Sequence, residues 1–384
     1  MDMLSQDRAM SRFYLDYSAT TPVLPEIIDA MRPYWGDTFG NPASAHWTGR
    51  KARQALEDAR EQIAALLGAY PDELIFTSGA TEANNLAIFG LADDMPGHVI
   101  SSAIEHPCVI GALDQLAARG FEIEHLPVNR EGLVEFATLP ESIRPDTRLV
   151  SAMRVNHETG AVQNVPKVER YRVHCDAAQA VGKIPVQFHA MNVTAMTISA
   201  HKIHGPKGIG ALLLRRGVKL RPMFFGGHQQ QGHRPGTEPV ALAVGMAKSV
   251  EIAVRNLESN TRQVHKIRER FLSGLSPAAP MCVNGPSDIA WAVPHIINVS
   301  FPGCRADALL MALDLAGVSC STGSACSSGS LLPSPVLKAM GVPDEVLRSA
   351  MRFSFSHLTS DSEIDEAAER IVSTVRRLRD HGGN

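Results

Sequence analysis

The chain has 384 residues, 44% of them hydrophobic and 20% charged, with a formal net charge of −3; this suits a soluble globular protein and points away from a nucleic-acid or anionic-membrane surface. No apolar run approaches the ~20 residues needed to span a bilayer, and Met1–Arg8 lacks the apolar centre of a signal peptide. Six cysteines, at 108, 175, 282, 304, 320 and 326, follow no disulfide-rich or CxxC pattern, which suits free thiols in a reducing cytoplasm.

In chain order, Ala52, Leu56, Ala59, Ile63, Leu66 and Leu67 keep helical spacing until Gly68, predicting an amphipathic helix with a glycine stop. Segments near 73–77, 98–102, 122–127, 147–153, 172–176, 193–198 and 209–215 read as strands, separated by helical stretches such as 81–92 and 107–119. This alternation predicts an α/β fold with a mainly parallel seven-stranded sheet. From about residue 261 a charged helix leads to the apolar strand Ile296–Phe301, then to a serine- and glycine-rich loop, Cys320–Ser330. Ser360-Asp361-Ser362-Glu363 is a capping-box pattern ahead of Ile364, Ala367, Ala368, Ile371, Val375 and Leu378 at helical spacing. The expected division is an N-terminal arm over 1–25 packed on the small domain, a large domain over 26–260 and a small α+β domain over 261–384.

Three strand ends carry chemistry. Ile75–Leu86 is a strand that breaks at Ser78-Gly79 and opens a helix through Ala80 and Thr81, so free amides and the positive end of a helix dipole would cradle a phosphate. Asp176 follows the short apolar run ending at Val173, where a buried carboxylate would hold a proton on a pyridine nitrogen. Lys202 follows the run Val193–Ile198 and lies among small residues, where an amine loses its proton readily and condenses with an aldehyde. Alone, each has a plainer reading as a surface charge, a helix cap or a helix start. Together, at strand ends where α/β proteins bind ligands, they specify pyridoxal 5′-phosphate (PLP). Cys326 sits in a stretch too polar and glycine-rich to pack, so it reads as an exposed thiol on a loop.

These motifs, with Tyr14–Pro22, Phe39–Ser44, Arg234-Pro235-Gly236-Thr237, Ser321–Cys326 and Met351-Arg352-Phe353-Ser354, make the chain resemble a class V aminotransferase, more narrowly a cysteine desulfurase of the NifS/IscS type. The resemblance implies a fold-type I PLP enzyme that takes sulfur from L-cysteine, yields L-alanine and leaves a persulfide on Cys326 for an acceptor protein, as in iron–sulfur cluster biosynthesis. It implies His106 as the residue stacked on the cofactor ring and a helper in proton transfer, with Gly79, Ala80, Thr81, Ser199 and His201 near the phosphate, and Gln179 at the phenolic oxygen. Arg352 and Asn41 would bind the substrate, and Thr237 would reach the phosphate of a neighbouring subunit in a homodimer.

The chain departs from the family pattern in four places. His157 stands where an asparagine is common, placing an imidazole where an amide would approach the cofactor; a histidine can still donate there. The crossover from Gln163 to Asp176 is too short for a full helix, which predicts a thinner back face of the sheet. Thr194 replaces an aspartate and Gln230 a glutamate. A selenocysteine lyase or an aminotransferase would keep Lys202, Asp176 and Arg352, and the Cys326 loop separates these from a desulfurase. A catalytically weak scaffold paralogue would lack a borohydride-reducible cofactor. His201 and His204 have no cysteine or carboxylate partner at ligand spacing, so no metal is expected.

Overall fold

The structure, a computed structural model, describes residues 11–92, 95–168, 170–323 and 333–381. Cys326 and most of its loop lie outside the described residues. The twelve strands are β1 (Phe13–Tyr14), β2 (Leu74–Thr77), β3 (His98–Ser102), β4 (Glu122–Leu126), β5 (Thr147–Ser151), β6 (Arg172–Asp176), β7 (Ala195–Ser199), β8 (Gly210–Leu214), β9 (Cys282–Asn284), β10 (Ile296–Ser300), β11 (Val318–Ser319) and β12 (Ala350–Ser354) among the described residues.

Strands β2 to β8 form one seven-stranded sheet in the order β2-β8-β7-β6-β5-β3-β4. Only β8 runs against its neighbours, so the sheet is mainly parallel as the alternation predicts. Its central strands are buried along their whole length, as in β3, β7 and β8, because helices and loops cover both faces. The predicted amphipathic helix spans Trp47–Leu66, five residues longer at its start, because the His46 ring accepts from Gly49 N–H (3.2 Å) and caps it. Gly68 follows with φ +64°, the left-handed stop read from the sequence.

Between β5 and β6 no helix is found among the described residues, as the short crossover predicts. The chain instead folds back on itself through a Val155–Val162 bridge, and β6 still pairs parallel to β5. Thr194 and Gln230 both serve the sheet. Thr194 Oγ1 accepts from Val173 N–H (2.9 Å), while Gln230 Oε1 accepts from Phe76 N–H (2.8 Å) at the β2 edge.

A second apolar core gathers around the antiparallel sheet β12-β10-β9 and the helices Leu257–Leu275 and Asp361–His381. The capping box forms, with Glu363 accepting from Ser360 N–H (2.7 Å) and Glu363 N–H donating to Ser360 Oγ (3.3 Å). Phe13 and Leu15 bury in this core, and β1 pairs parallel with β11. Beyond Asp16 the arm crosses to the large sheet, where Thr21 N–H donates to the carbonyl of His201 (3.1 Å).

Candidate active site

The C-terminal ends of β2, β3, β5, β6 and β7 open on one cavity of about 400 Å³, in the size range of small-molecule sites. It is lined by Gly79, Ala80, Thr81, His106, His157, Asp176, Gln179, His201, Lys202 and Arg352. Parallel strands deliver their ends to one edge of a sheet, so residues spread across the chain from 79 to 202 meet here.

After β2 the chain turns at Gly79, whose φ of +155° disfavours a side chain, and enters the helix Ala80–Leu91. The first intrahelical bond is Ala83 N–H to Gly79 O (3.1 Å), so the amides before it point out of the helix end. Glu82 accepts from Ser78 N–H (2.8 Å) and pairs with Arg234 (2.9 Å), which neutralises the carboxylate beside that anion-favouring turn. Asp176 is 7% exposed; its Oδ2 accepts from Asn84 Nδ2 (2.7 Å) and its Oδ1 from Ala178 N–H (2.9 Å). These two donors hold the carboxylate toward the cavity.

Lys202 Nζ donates to the carbonyls of Ser18 (2.6 Å) and Ala19 (2.8 Å), and Gln179 Nε2 also donates to Ser18 O (2.9 Å). His106 caps the helix Pro107–Ala118, its Nδ1 accepting from Cys108 N–H (3.2 Å). That bond makes Nε2 the protonated nitrogen of the neutral ring. Burial, with Lys202 and Arg352 adding to it against Asp176, lowers the His106 pKa. The fully buried His157 is lowered further, by burial and then by His106, Arg352 and Lys202. The two rings meet edge to face at 5.1 Å. Asn156 Oδ1 accepts from Glu158 N–H and Thr159 N–H (both 2.9 Å), a turn that aims the His157 side chain inward.

Arg352, 2% exposed on β12, donates to the His157 carbonyl (2.9 Å) and pairs with Asp16 (2.9 Å). It brings a cation from the second core to the mouth of the first. His201 donates to or accepts from Thr20 Oγ1 (3.1 Å), and burial followed by Lys202 and Lys207 pulls its pKa down to about 4.

Ser199 does not line the cavity but lies buried beside it, with its hydroxyl unpartnered. Asn41 and Thr237 fall elsewhere, on a separate surface cleft with Trp35 and Phe39. Asn41 Oδ1 is taken by Ala43 N–H (2.9 Å), so within one chain this residue does not reach the site. Several residues at the cavity had no role read from the sequence: Asn84 behind Asp176 and the Ser18 and Ala19 carbonyls, although they fall within quoted motifs, and Cys108, whose Sγ is 3.0 Å from His106 Nδ1. Asn84 sits one helical turn beyond the phosphate turn, which is the sequence signal that would have found it.

PLP fits this donor set. Around the cavity, Ser18 Oγ, Ser199 Oγ, both His157 ring nitrogens and Arg352 Nε are buried without hydrogen-bond partners, groups that a polar ligand would satisfy. An open turn with outward amides, a held carboxylate and an amine at a strand end match its phosphate, ring nitrogen and aldehyde.

The family described as aminotransferase class-V matches residues 13–366. A cysteine desulfurase of Trichormus azollae is 42% identical over 96% of this chain and 94% of its own. A protein of Vibrio cholerae named cysteine desulfurase IscS is 44% identical over 95% of this chain and 93% of its own. A solved NifS-like protein superposes with a TM-score of 0.89 at 34% identity, covering 95% of this chain and all of its own.

Proposed function

The chain belongs to the class-V aminotransferase family, and from that premise we propose that it is a cysteine desulfurase, taking sulfur from L-cysteine and passing it to an acceptor. It is a fold-type I, PLP-dependent enzyme. The observation that carries the reading is the meeting of Lys202, Asp176, His106 and Arg352 in one cavity, in a chain aligned nearly end to end with cysteine desulfurases.

When bound, PLP supplies an electron sink for negative charge developing beside the substrate's amino group. In our reading the amides of Gly79, Ala80 and Thr81, with Ser199 and His201, hold the phosphate. With PLP bound, Asp176 would keep the ring nitrogen protonated, Gln179 and His157 would serve the phenolic oxygen, and His106 would lie against the ring. Arg352 binds the substrate α-carboxylate; its planar fork suits two parallel bonds, and Asp16 yields one of them. Lys202, once its amine is free, moves the α-proton. The Cys326 thiolate attacks the substrate Sγ: an S–S bond forms, the Cβ–Sγ bond breaks with its electron pair going to Cβ, and protonation there gives alanine.

Asn41 and Thr237 share a cleft with exposed aromatics, Trp35 at 65% and Phe39 at 74%, which supports a homodimer in which Thr237 completes the partner's site. The cysteines at 108, 175, 282, 304 and 320 form no disulfide among the described residues, which supports a reducing cytoplasmic setting. The two apolar cores support the division at about residues 25 and 260.

The test is to incubate the PLP-loaded protein with L-cysteine and a reductant and to assay alanine and sulfide together. Both should appear in equal amounts, and Cys326→Ser should abolish both while the yellow, borohydride-reducible chromophore persists. Sulfide release surviving that substitution overturns the role of Cys326, and a colourless protein overturns the reading as a whole.

A further inference from the structure

A second cavity lies between the two apolar cores, behind the catalytic lysine. Lys183, from the turn after β6, and His204 reach it from the large sheet; Asn260, His295, Ser356 and His357 reach it from the helix Leu257–Leu275 and the ends of β10 and β12. No aspartate or glutamate is among its lining residues.

The protonation states of this cluster follow from its partners. His204 donates from Nδ1 to the Pro22 carbonyl (3.1 Å), which can only accept, so its Nε2 accepts from Ser356 Oγ–H (2.9 Å). This ring is neutral and satisfied. His295 is the opposite case: it is 3% exposed and neither ring nitrogen has a partner. No carboxylate among the described residues pairs with Lys183, and Arg268 adds a further positive charge near His295. The two buried, unpartnered ring nitrogens of His295 call for an occupant, and the positive charges of Lys183 and Arg268 beside them favour one of opposite sign. The free volume is about 30 Å³, room for a single small ion but too little for a bulky organic acid.

We propose that this cavity binds one small monovalent anion of halide size, held by Lys183 Nζ and a ring N–H of His295, which ties the large sheet to the second core. The site stands apart from the PLP cavity and does not rest on the desulfurase reading. Without a counter-ion, burial lowers the Lys183 pKa to about 8. The groups facing it, His204, His295, His357 and the nearby Arg268, are cationic or neutral. Anion affinity should therefore fall as pH rises past that value, because the ammonium that holds the anion is lost.

The probe is bromide, applied to the PLP-loaded protein. Diffraction data collected at the bromine absorption edge should give an anomalous peak in contact with Lys183 Nζ. The melting temperature should rise saturably with sodium bromide, but not with sodium glutamate of equal ionic strength. Lys183→Met should remove the peak and weaken the apparent bromide affinity at least about tenfold, and His295→Phe should weaken it in the same direction. Density without anomalous signal, meaning water only, overturns the proposal, as does equal bromide affinity in wild type and Lys183→Met. Should Lys183→Met fail to fold, the wild-type anomalous map decides.

Discussion

Glu105 and His174 show how burial, as the largest cause, can set a charge state one or two residues away from the chemistry. Glu105 is fully buried beside the site, and desolvation pushes its carboxyl up to about 8, against hydrogen bonds from Ser102 and from Met153 N–H (2.9 Å). A folded pKa raised above an ordinary 4.5 means that the native state binds the extra proton, so stability declines as pH climbs from about 4.5 to 8. Glu105→Gln keeps the shape without the titration; it should leave activity near wild type and flatten the melting temperature over that window. His174 has the opposite sign. Burial lowers it to about 4, so the unfolded chain takes up the proton first and stability is lost as pH falls from about 6.5 to 4. The shift corresponds to roughly 3 kcal/mol, and urea titrations at pH 7 and pH 4.5 in wild type and His174→Gln would measure its share.

At the scale of elements, the phosphate turn depends on the start of β8, which packs against the Gly79 backbone. A Cβ on Gly210, at the start of β8, would lie 2.7 Å from the Ile198 carbonyl and 2.8 Å from the Gly79 backbone. Gly210→Ala should therefore displace the turn, cost about 1–3 kcal/mol of stability and weaken PLP retention, read as chromophore lost during gel filtration. The strands near 98–102 and 172–176, which coincide with β3 and β6, were legible from the alternation of strand and helix rather than from apolar runs, since both mix polar residues with apolar ones. The start of the helix Trp47–Leu66 was not, because a histidine cap carries no periodicity. Lys202, Asp176 and Gly79 could be read because each chemistry demands one residue type at a strand end. Asn84 and the Ser18 carbonyl could not, because any polar group brought close by the fold would serve. Arg352 was legible only through its motif; its pairing with Asp16, 336 residues away, is a property of the assembled chain.

Across the whole molecule, the surface around Asn41 and Thr237 is the least complete. Trp35 and Phe39 there, and Phe225 at 88% exposure elsewhere in the chain, are large apolar side chains left open to solvent, the kind of residue that marks an interaction site when such residues cluster. Introducing charge with Trp35→Asp and Phe225→Asp should turn a dimer into monomers in sedimentation velocity and reduce activity together with it; a wild-type monomer would remove Thr237 from the site. The arm from Phe13 to Thr21 joins both cores, and part of its grip on the large sheet, beside the bonds of Gln179 and Thr21, runs through the amine of Lys202. Engaging that amine elsewhere frees the oxygen of Ala19, so filling the enzyme should loosen this tether. Amide deuteration at residues 18–20 would then quicken on loading, a signature contrary to the general stiffening that ligands bring.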